Sequence, residues 1–282
     1  MTDIRKYKKE AGYSYTLGAF PTLELVEAMP DRVVEVLVHS SFPDRELIEE
    51  RCRKAWENNR TGEGFKTPKM ISDTAESRLA ERQIPAREGG RLIGSPIPVR
   101  QDNKLIEKLS DKENVYVVGV FEKYTCELKK DTRHIVLVNP SNMGNLGTII
   151  RTACGFGYYD LAVIEPAADI FNPKTVRAGM GSLFRIRHEL FADFDDYFEK
   201  YCVQKKTDYD SIGLKDGNVS ALRKLYPFML DGSSTLAEAS KPKSECFSLI
   251  FGNEATGLPK AFTGYGCPVR IEQTKFVDSL NL

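Results

Sequence analysis

The chain has 282 residues, 41% of them hydrophobic, with 40 basic residues set against 40 acidic ones. That length and apolar content allow one large domain or two ordinary ones. The zero formal charge argues against strong undirected nucleic-acid binding while permitting a local basic patch. Six scattered cysteines without a CxxC pair, and only three histidines, argue against a zinc site.

The N-terminus, MTDIRKYKKEAG, has no apolar signal core, and no run approaches membrane-spanning length, so the chain reads as cytoplasmic. Residues 33–38, VVEVLV, predict a strand. PDRELIEERCRKAW then sets Leu47, Ile48, Cys52 and Ala55 at helical spacing, with Asp44 and Glu46 suited to the helix start. VYVVGVFEKY, near residue 120, is a second strand. Between these elements, residues 58–100 are rich in Gly, Pro and charge, and part of them reads as an exposed insertion. CELKKDTRH reads as a linker. The expected division is a small α/β domain over 1–130 and a second α/β domain over 131–282.

In the second domain, apolar runs recur: IVLV (135–138), LAVI (161–164), PFML (227–230), FSLIF (247–251) and PVRI (268–271). Helix-like stretches separate several of them, which predicts a mostly parallel sheet covered on both faces. Residues 205–220 are polar and turn-rich, and read as a surface loop. Cys154, on an apolar helix face, and Cys246, beside an apolar strand, read as small core residues in a reducing compartment.

The segment after IVLV, NPSNMGNLGTIIRTACGFG, reads as strand, glycine-rich turn and helix. No Lys-Ser/Thr pair follows the glycines, and the spacing is not GxGxxG, so a nucleotide-phosphate loop does not fit. On a helix opening near Asn145, the residues Leu146, Ile149, Ile150, Ala153 and Cys154 form an apolar face, while Asn145, Thr148, Arg151 and Thr152 point elsewhere. Those polar groups fall near the C-terminal edge of a parallel strand, where open α/β sheets bind ligands, and the helix start favours an anion. Alone this is a weak signal, because a helical arginine is usually just solvated.

Two further stretches keep it company. LIFGNEATGLP (249–259) ends another buried strand; Gly252 permits close backbone approach, and Asn253 and Glu254 sit where strand becomes loop. VRIEQTKFVDSLNL (269–282) sets Ser279 and Asn281 beside Val277 and Leu280. Each alone reads equally well as an ordinary turn.

Together, in this order, NPSNMGNLGTIIRTA, IFGNEATGLP and VDSLN resemble the three signature motifs of the SpoU/TrmH family of RNA methyltransferases, within the SPOUT superfamily. NPKTVRAGMGSLFRI (172–186) is similar to the family's stretch between motifs one and two. The resemblance covers residues 134–282. It extends more weakly to LVEAMPDRVVEVLVH and VYVVGVF, which look like the family's RNA substrate-binding domain.

The resemblance implies a SPOUT-type sheet with a C-terminal trefoil knot, bound S-adenosylmethionine, a homodimer, and methylation of a ribose 2′-hydroxyl in ribosomal or transfer RNA. By motif position it implies catalytic roles for Arg151, Asn145, Glu254, Ser279 and Asn281. It implies that Gly252, Asn253, Ile271, Leu280 and Leu230 hold the cofactor. It makes the glycine-rich turn a seat for an RNA ribose and phosphate. The family pattern continues beyond Ser-Leu-Asn, whereas this sequence ends at Leu282, which implies an incomplete knot and weakened cofactor affinity, through either a shortened chain or a degenerate protein. RNA contacts would come from Arg5, Lys6, Lys8 and Lys9, from Lys129, Lys130 and Arg133, or from Arg177, Arg185 and Arg187. The rival readings are a non-catalytic RNA-binding protein on the same fold and a dinucleotide- or phosphate-binding α/β enzyme.

Overall fold

The structure is a computed structural model that describes residues 4–61, 96–203, 223–239, 242 and 246–272. Ser279, Leu280 and Asn281, the loop at 205–220 and most of the 58–100 stretch lie outside the described residues. The chain divides into two units: Met1–Cys126 with Asp169–Arg185, and Glu127–Ala168 with Ile186–Leu282. The division thus falls at Cys126 rather than at residue 130, and it is not a single cut.

The first unit holds a four-stranded sheet in the order β1-β4-β2-β3, from β1 (Tyr13–Tyr15), β2 (Val33–Val38), β3 (Val99–Gln101) and β4 (Val117–Glu122). Strand β4 runs antiparallel to both neighbours, and β3 is parallel to β2. Helices α1 (Ala19–Ala28) and α2 (Arg45–Thr61) pack together, and α3 (Asn103–Leu109) buries Ile106 and Leu109 among Leu37, Val118 and Val120. On α2 only Ile48 and Cys52 are buried, and Leu47 is exposed. A Cβ at Gly119, within β4, would stand 2.9 Å from both Thr16 Oγ1 and Thr22 Cγ2, so glycine sets how closely α1 approaches the sheet.

Asp169–Arg185 belongs to this unit although it follows motif one. It carries the short helix α5 (Pro173–Ala178). The Ser14 hydroxyl donates to Phe171 O at 2.5 Å, the Tyr124 hydroxyl donates to Leu183 O at 3.1 Å, Arg185 pairs with Glu24 at 2.5 Å, and the Phe184 ring meets that of Phe121.

The second unit is built on a five-stranded parallel sheet in the order β7-β6-β5-β10-β8. Its strands are β5 (His134–Val138), β6 (Asp160–Ile164), β7 (Arg187–Phe191), β8 (Lys224–Pro227) and β10 (Phe247–Phe251). Every residue of β5 and β6 is buried, as strands covered on both faces require. Val136, Val138, Ala162 and Ile250 pack against the aromatic face of α6 (Phe194–Tyr201). On the other face, α4 (Met143–Gly155) buries Leu146, Ile150 and Ala153; Cys154 is only half-buried, as is Cys246.

Two expected strands differ. PFML is not a strand: β8 stops at Pro227, and Leu230 sits on the following turn. PVRI contributes only β11 (Val269–Arg270), which pairs in parallel with β9 (Ser234–Thr235) in a separate sheet. The expected linker is tied down. Leu128 is buried, the Leu128 amide donates to the Tyr201 hydroxyl at 3.0 Å, and the Lys129 amide donates to Asp160 Oδ1 at 2.9 Å. Among the described residues, no helix is long and apolar enough to cross a membrane.

Candidate active site

Strand order locates the site. The chain runs outward from β5 through β6 to β7, then resumes at β8 on the other side, with β10 next to β5. Direction therefore reverses between β5 and β10, and a crevice opens at such a point outside the carboxyl ends of the strands. Both quoted motifs leave the sheet there: 139–142 after β5 and 252–258 after β10.

The two loops are locked together. Asn253 donates its Nδ2 to Asn139 O at 2.8 Å, while its Oδ1 accepts from the amides of Ala255 and Thr256 at 2.9 and 3.2 Å. Asn139 has φ 55°, a left-handed conformation that asparagine tolerates better than most residues. A Cβ on Gly252 would lie 2.2 Å from Gly257 C, and Gly257 itself has φ 66°, so this hairpin-like loop needs glycine at both positions.

The carboxylate of Glu254 reaches the start of α4. Its Oε2 accepts from the Ser141 amide at 3.2 Å and from the Ser141 hydroxyl at 3.0 Å, and its Oε1 accepts from the Asn142 amide at 3.3 Å. Partial burial alone would raise its pKa, but the surrounding amides and hydroxyl outweigh that and hold the carboxyl below its ordinary value. Asn142 is the N-cap of α4, with Oδ1 accepting from the Gly144 and Asn145 amides at 2.8 and 3.1 Å.

The helix start does attract an anion, but that anion is internal. At the turn expected to seat an RNA phosphate, the amides of Ser141 and Asn142 are engaged by Glu254 and those of Gly144 and Asn145 by the Asn142 side chain. The same occupancy weighs against the dinucleotide- or phosphate-binding alternative.

Arg151 is exposed, and among the described residues its guanidinium makes no hydrogen bond or ion pair. It follows Asn145 and Thr148 at steps of three along α4, and lies roughly 13 Å along the axis from the N-cap by the helical rise. The clasp thus gathers Asn253 and Glu254 with the start of α4, while Arg151 is carried farther along that helix. Ile271 is half-buried just after β11, and Leu230 is 75% exposed on the loop after β8, whose parent strand neighbours β10. A Cβ on Gly232 would lie 2.5 Å from Val269 C, so that loop runs tight against β11.

Sequence reasoning missed Asn139, Ser141 and Asn142. The available signal was an asparagine immediately before an apolar-periodic stretch, which marks an N-cap. The candidate cations also sort differently. Arg187 is buried in a bidentate pair with Asp160, with both contacts at 2.5 Å, and Arg185 is engaged by Glu24. Arg187 is thus taken up by the fold, while Arg185 is half-buried. Arg177 has its Nη1 enclosed without a partner among the described residues. Lys6 pairs with Asp111 in the open, while Lys129 and Lys130 are exposed and Arg133 lies over the Tyr158 ring.

A separate cleft of about 190 Å³ lies between α4 and the sheet, lined by Ile135, Leu137, Ile149, Ala153, Phe156 and Phe251 among others. It holds none of the predicted site residues. Phe156, at its rim, is 75% exposed.

A doubly wound α/β unit with a two-loop clasp at its switch point defines the class of the second unit. Residues 132–282 match the SpoU rRNA Methylase family, and the chain belongs to that family. It is 39% identical over 89 residues to the 23S rRNA (uridine(2479)-2′-O)-methyltransferase of Streptomyces viridochromogenes, covering 29% of this chain and 31% of the relative. It is 33% identical over 133 residues to the 23S rRNA (guanosine(2553)-2′-O)-methyltransferase RlmP of Bacillus subtilis, covering 46% and 44%. The matched stretch thus spans less than half the length of these curated relatives. Among solved structures, the AdoMet-bound rRNA methyltransferase from Sinorhizobium meliloti superposes with a TM-score of 0.62 at 22% identity, over 96% of this chain and 82% of that one. At that identity the likeness establishes the α/β fold.

Proposed function

We propose that this protein is an S-adenosylmethionine-dependent RNA methyltransferase that acts on a ribose 2′-hydroxyl of ribosomal or transfer RNA. The observation that carries this reading is the lock between the family's first two motifs at the switch point of the sheet, with an exposed arginine riding on the same helix. The relatives' specificity for the 2′-oxygen of 23S rRNA supports the substrate class.

The residues present suit the cofactor. The loops after β8 and β10 offer glycine-tightened backbone at Gly232 and Gly252 with exposed apolar surface at Leu230 and half-buried Ile271, which fits an adenine and a thioether chain. In this reading Gly252, Asn253, Leu230, Ile271 and Leu280 hold the cofactor. When bound, the cofactor supplies a methyl group already activated on a sulfonium.

What the protein must add is placement of the ribose oxygen in line with the methyl group and relief of charge on that oxygen. Arg151, with Asn145, Ser279 and Asn281, takes that role. The guanidinium stays protonated, so Arg151 orients the hydroxyl or its phosphate and stabilises developing negative charge. The exposed Phe156 and the apolar cleft beside it support a homodimer in which this face is covered. The composition and the RNA substrate support a cytoplasmic location.

Transfer of a labelled methyl group from S-adenosylmethionine to RNA, followed by nucleoside analysis, tests the reading. A 2′-O-methyl nucleoside is the expected product. An RNA gel shift with no methyl incorporation would instead favour the non-catalytic RNA-binding alternative.

A further inference from the structure

We propose that Ser141 is a positioning residue of the methyl-transfer site: its hydroxyl and amide, with the Asn142 amide, hold the Glu254 carboxylate as a fixed internal anion at the start of α4. Glu254 then anchors this turn and is not the group that receives the ribose proton. The inference rests on the methyltransferase reading above.

Three donors converge on the two carboxylate oxygens at 3.0–3.3 Å, and Ser141 supplies two of them. Three of the roughly four acceptor positions of a carboxylate are thereby directed at protein. A second clasp, Asn253 Nδ2 to Asn139 O at 2.8 Å, fixes the same two loops just before Glu254 on one and ahead of Ser141 on the other. Beyond Asn142 the helix amides of Gly144 and Asn145 are capped by its Oδ1. The turn is therefore closed by interactions within the protein, and the start of α4 is pinned at both of its leading residues.

Ser141 and Glu254 are both solvent-exposed. Hydrogen bonds of this length in water add little to global stability. Their use is geometric. Arg151 is carried on α4, so slack at the start of the helix moves the guanidinium relative to the loop that follows β10. A displacement on the order of 1 Å in a positioning group can cost about a hundredfold in rate.

The test compares Ser141→Ala, Ser141→Thr and Glu254→Gln with the wild-type protein. The readouts are methyl transfer, S-adenosylmethionine binding by calorimetry, thermal unfolding, and hydrogen exchange at the Ser141 and Asn142 amides. The expectation for Ser141→Ala is a fall in kcat of about tenfold or more, with unfolding temperature and cofactor affinity little changed, and Ser141→Thr recovers most of the loss. Exchange at the Ser141 and Asn142 amides speeds up in Glu254→Gln.

The proposal is overturned by a Ser141→Ala enzyme that matches wild type, or by a Thr variant as impaired as the Ala one. It is also overturned by a Glu254→Gln enzyme that keeps wild-type amide exchange at Ser141 and Asn142 and binds cofactor normally yet transfers no methyl group, since that would make Glu254 the proton acceptor. If wild-type protein transfers no methyl group at all, the methyltransferase reading fails instead. Unchanged amide exchange in Glu254→Gln would then still overturn the clasp by itself.

Discussion

His134 starts β5 in register with Asp160 on β6 and Ser248 on β10, and Asp160 is in register with Arg187 on β7. The edge of the sheet opposite the motif loops therefore carries a row of buried polar groups. His134 shares a hydrogen bond with the Tyr197 hydroxyl at 2.9 Å and another with Lys129 O at 2.7 Å, while the fully buried Arg223 donates to Thr132 O, Phe247 O and Lys130 O. Burial first, and then the nearby Arg223 charge, lower the His134 pKa to about 4. The unfolded chain binds this proton more readily than the folded one. The His134 contribution to stability is therefore complete above an ordinary histidine pKa of about 6.5 and is lost as pH falls toward 4. Denaturant midpoints measured from pH 8 down to pH 4.5 should fall across this window, and in a His134→Gln variant the fall should be smaller. An equal fall in the variant would remove His134 as the cause.

At the scale of elements, α4 owes its start to Asn142. Replacing that N-cap with alanine should lower unfolding free energy by about 1 kcal/mol, and it should also disturb methyl transfer, because losing the side-chain oxygen frees the Gly144 and Asn145 amides at the start of the helix that carries Arg151. A chemical denaturation curve unchanged by Asn142→Ala would contradict the capping role.

The helix itself was legible in the sequence. Leu146, Ile150 and Ala153 repeat at helical spacing and are buried, and the continuous apolar runs of β5, β6 and β10 announced a parallel sheet. Strand β7 was not legible, because RHELF reads as polar. Its Arg187 is buried only by virtue of Asp160, a partner distant in sequence. The assignment of Asp169–Arg185 to the first unit was hidden for the same reason: it depends on Ser14, Glu24, Phe121 and Tyr124, none of them local. Motif residues could be named from the sequence, but the pairing of Glu254 with Ser141 could not. A carboxylate after one strand and a turn after another meet only once strand order is known.

At the scale of the whole molecule, zero net charge leaves RNA affinity to local cations. Lys129 and Lys130 stand exposed, whereas Arg185 and Arg187 are engaged in ion pairs. RNA affinity should weaken steadily with added salt, and Lys129→Glu with Lys130→Glu should flatten that dependence, whereas Arg187→Gln should act by destabilising the fold. Filter binding at several salt concentrations, beside thermal unfolding, separates these outcomes. The exposed Phe156 yields a second expectation: wild-type protein should run as a dimer in light scattering, and Phe156→Glu should shift it toward monomer. A monomeric wild type would remove the dimer from the account.

The central claim is that the clasp and Arg151 together place a ribose oxygen for methyl transfer. The most direct measurement is the rate of labelled-methyl incorporation into ribosomal and transfer RNA from cells lacking the gene, for wild-type protein and for Arg151→Ala. The account predicts a 2′-O-methyl nucleoside with the wild type. For the variant it predicts a rate lower by about a hundredfold or more, with S-adenosylmethionine binding retained. Incorporation by Arg151→Ala at close to the wild-type rate would contradict it.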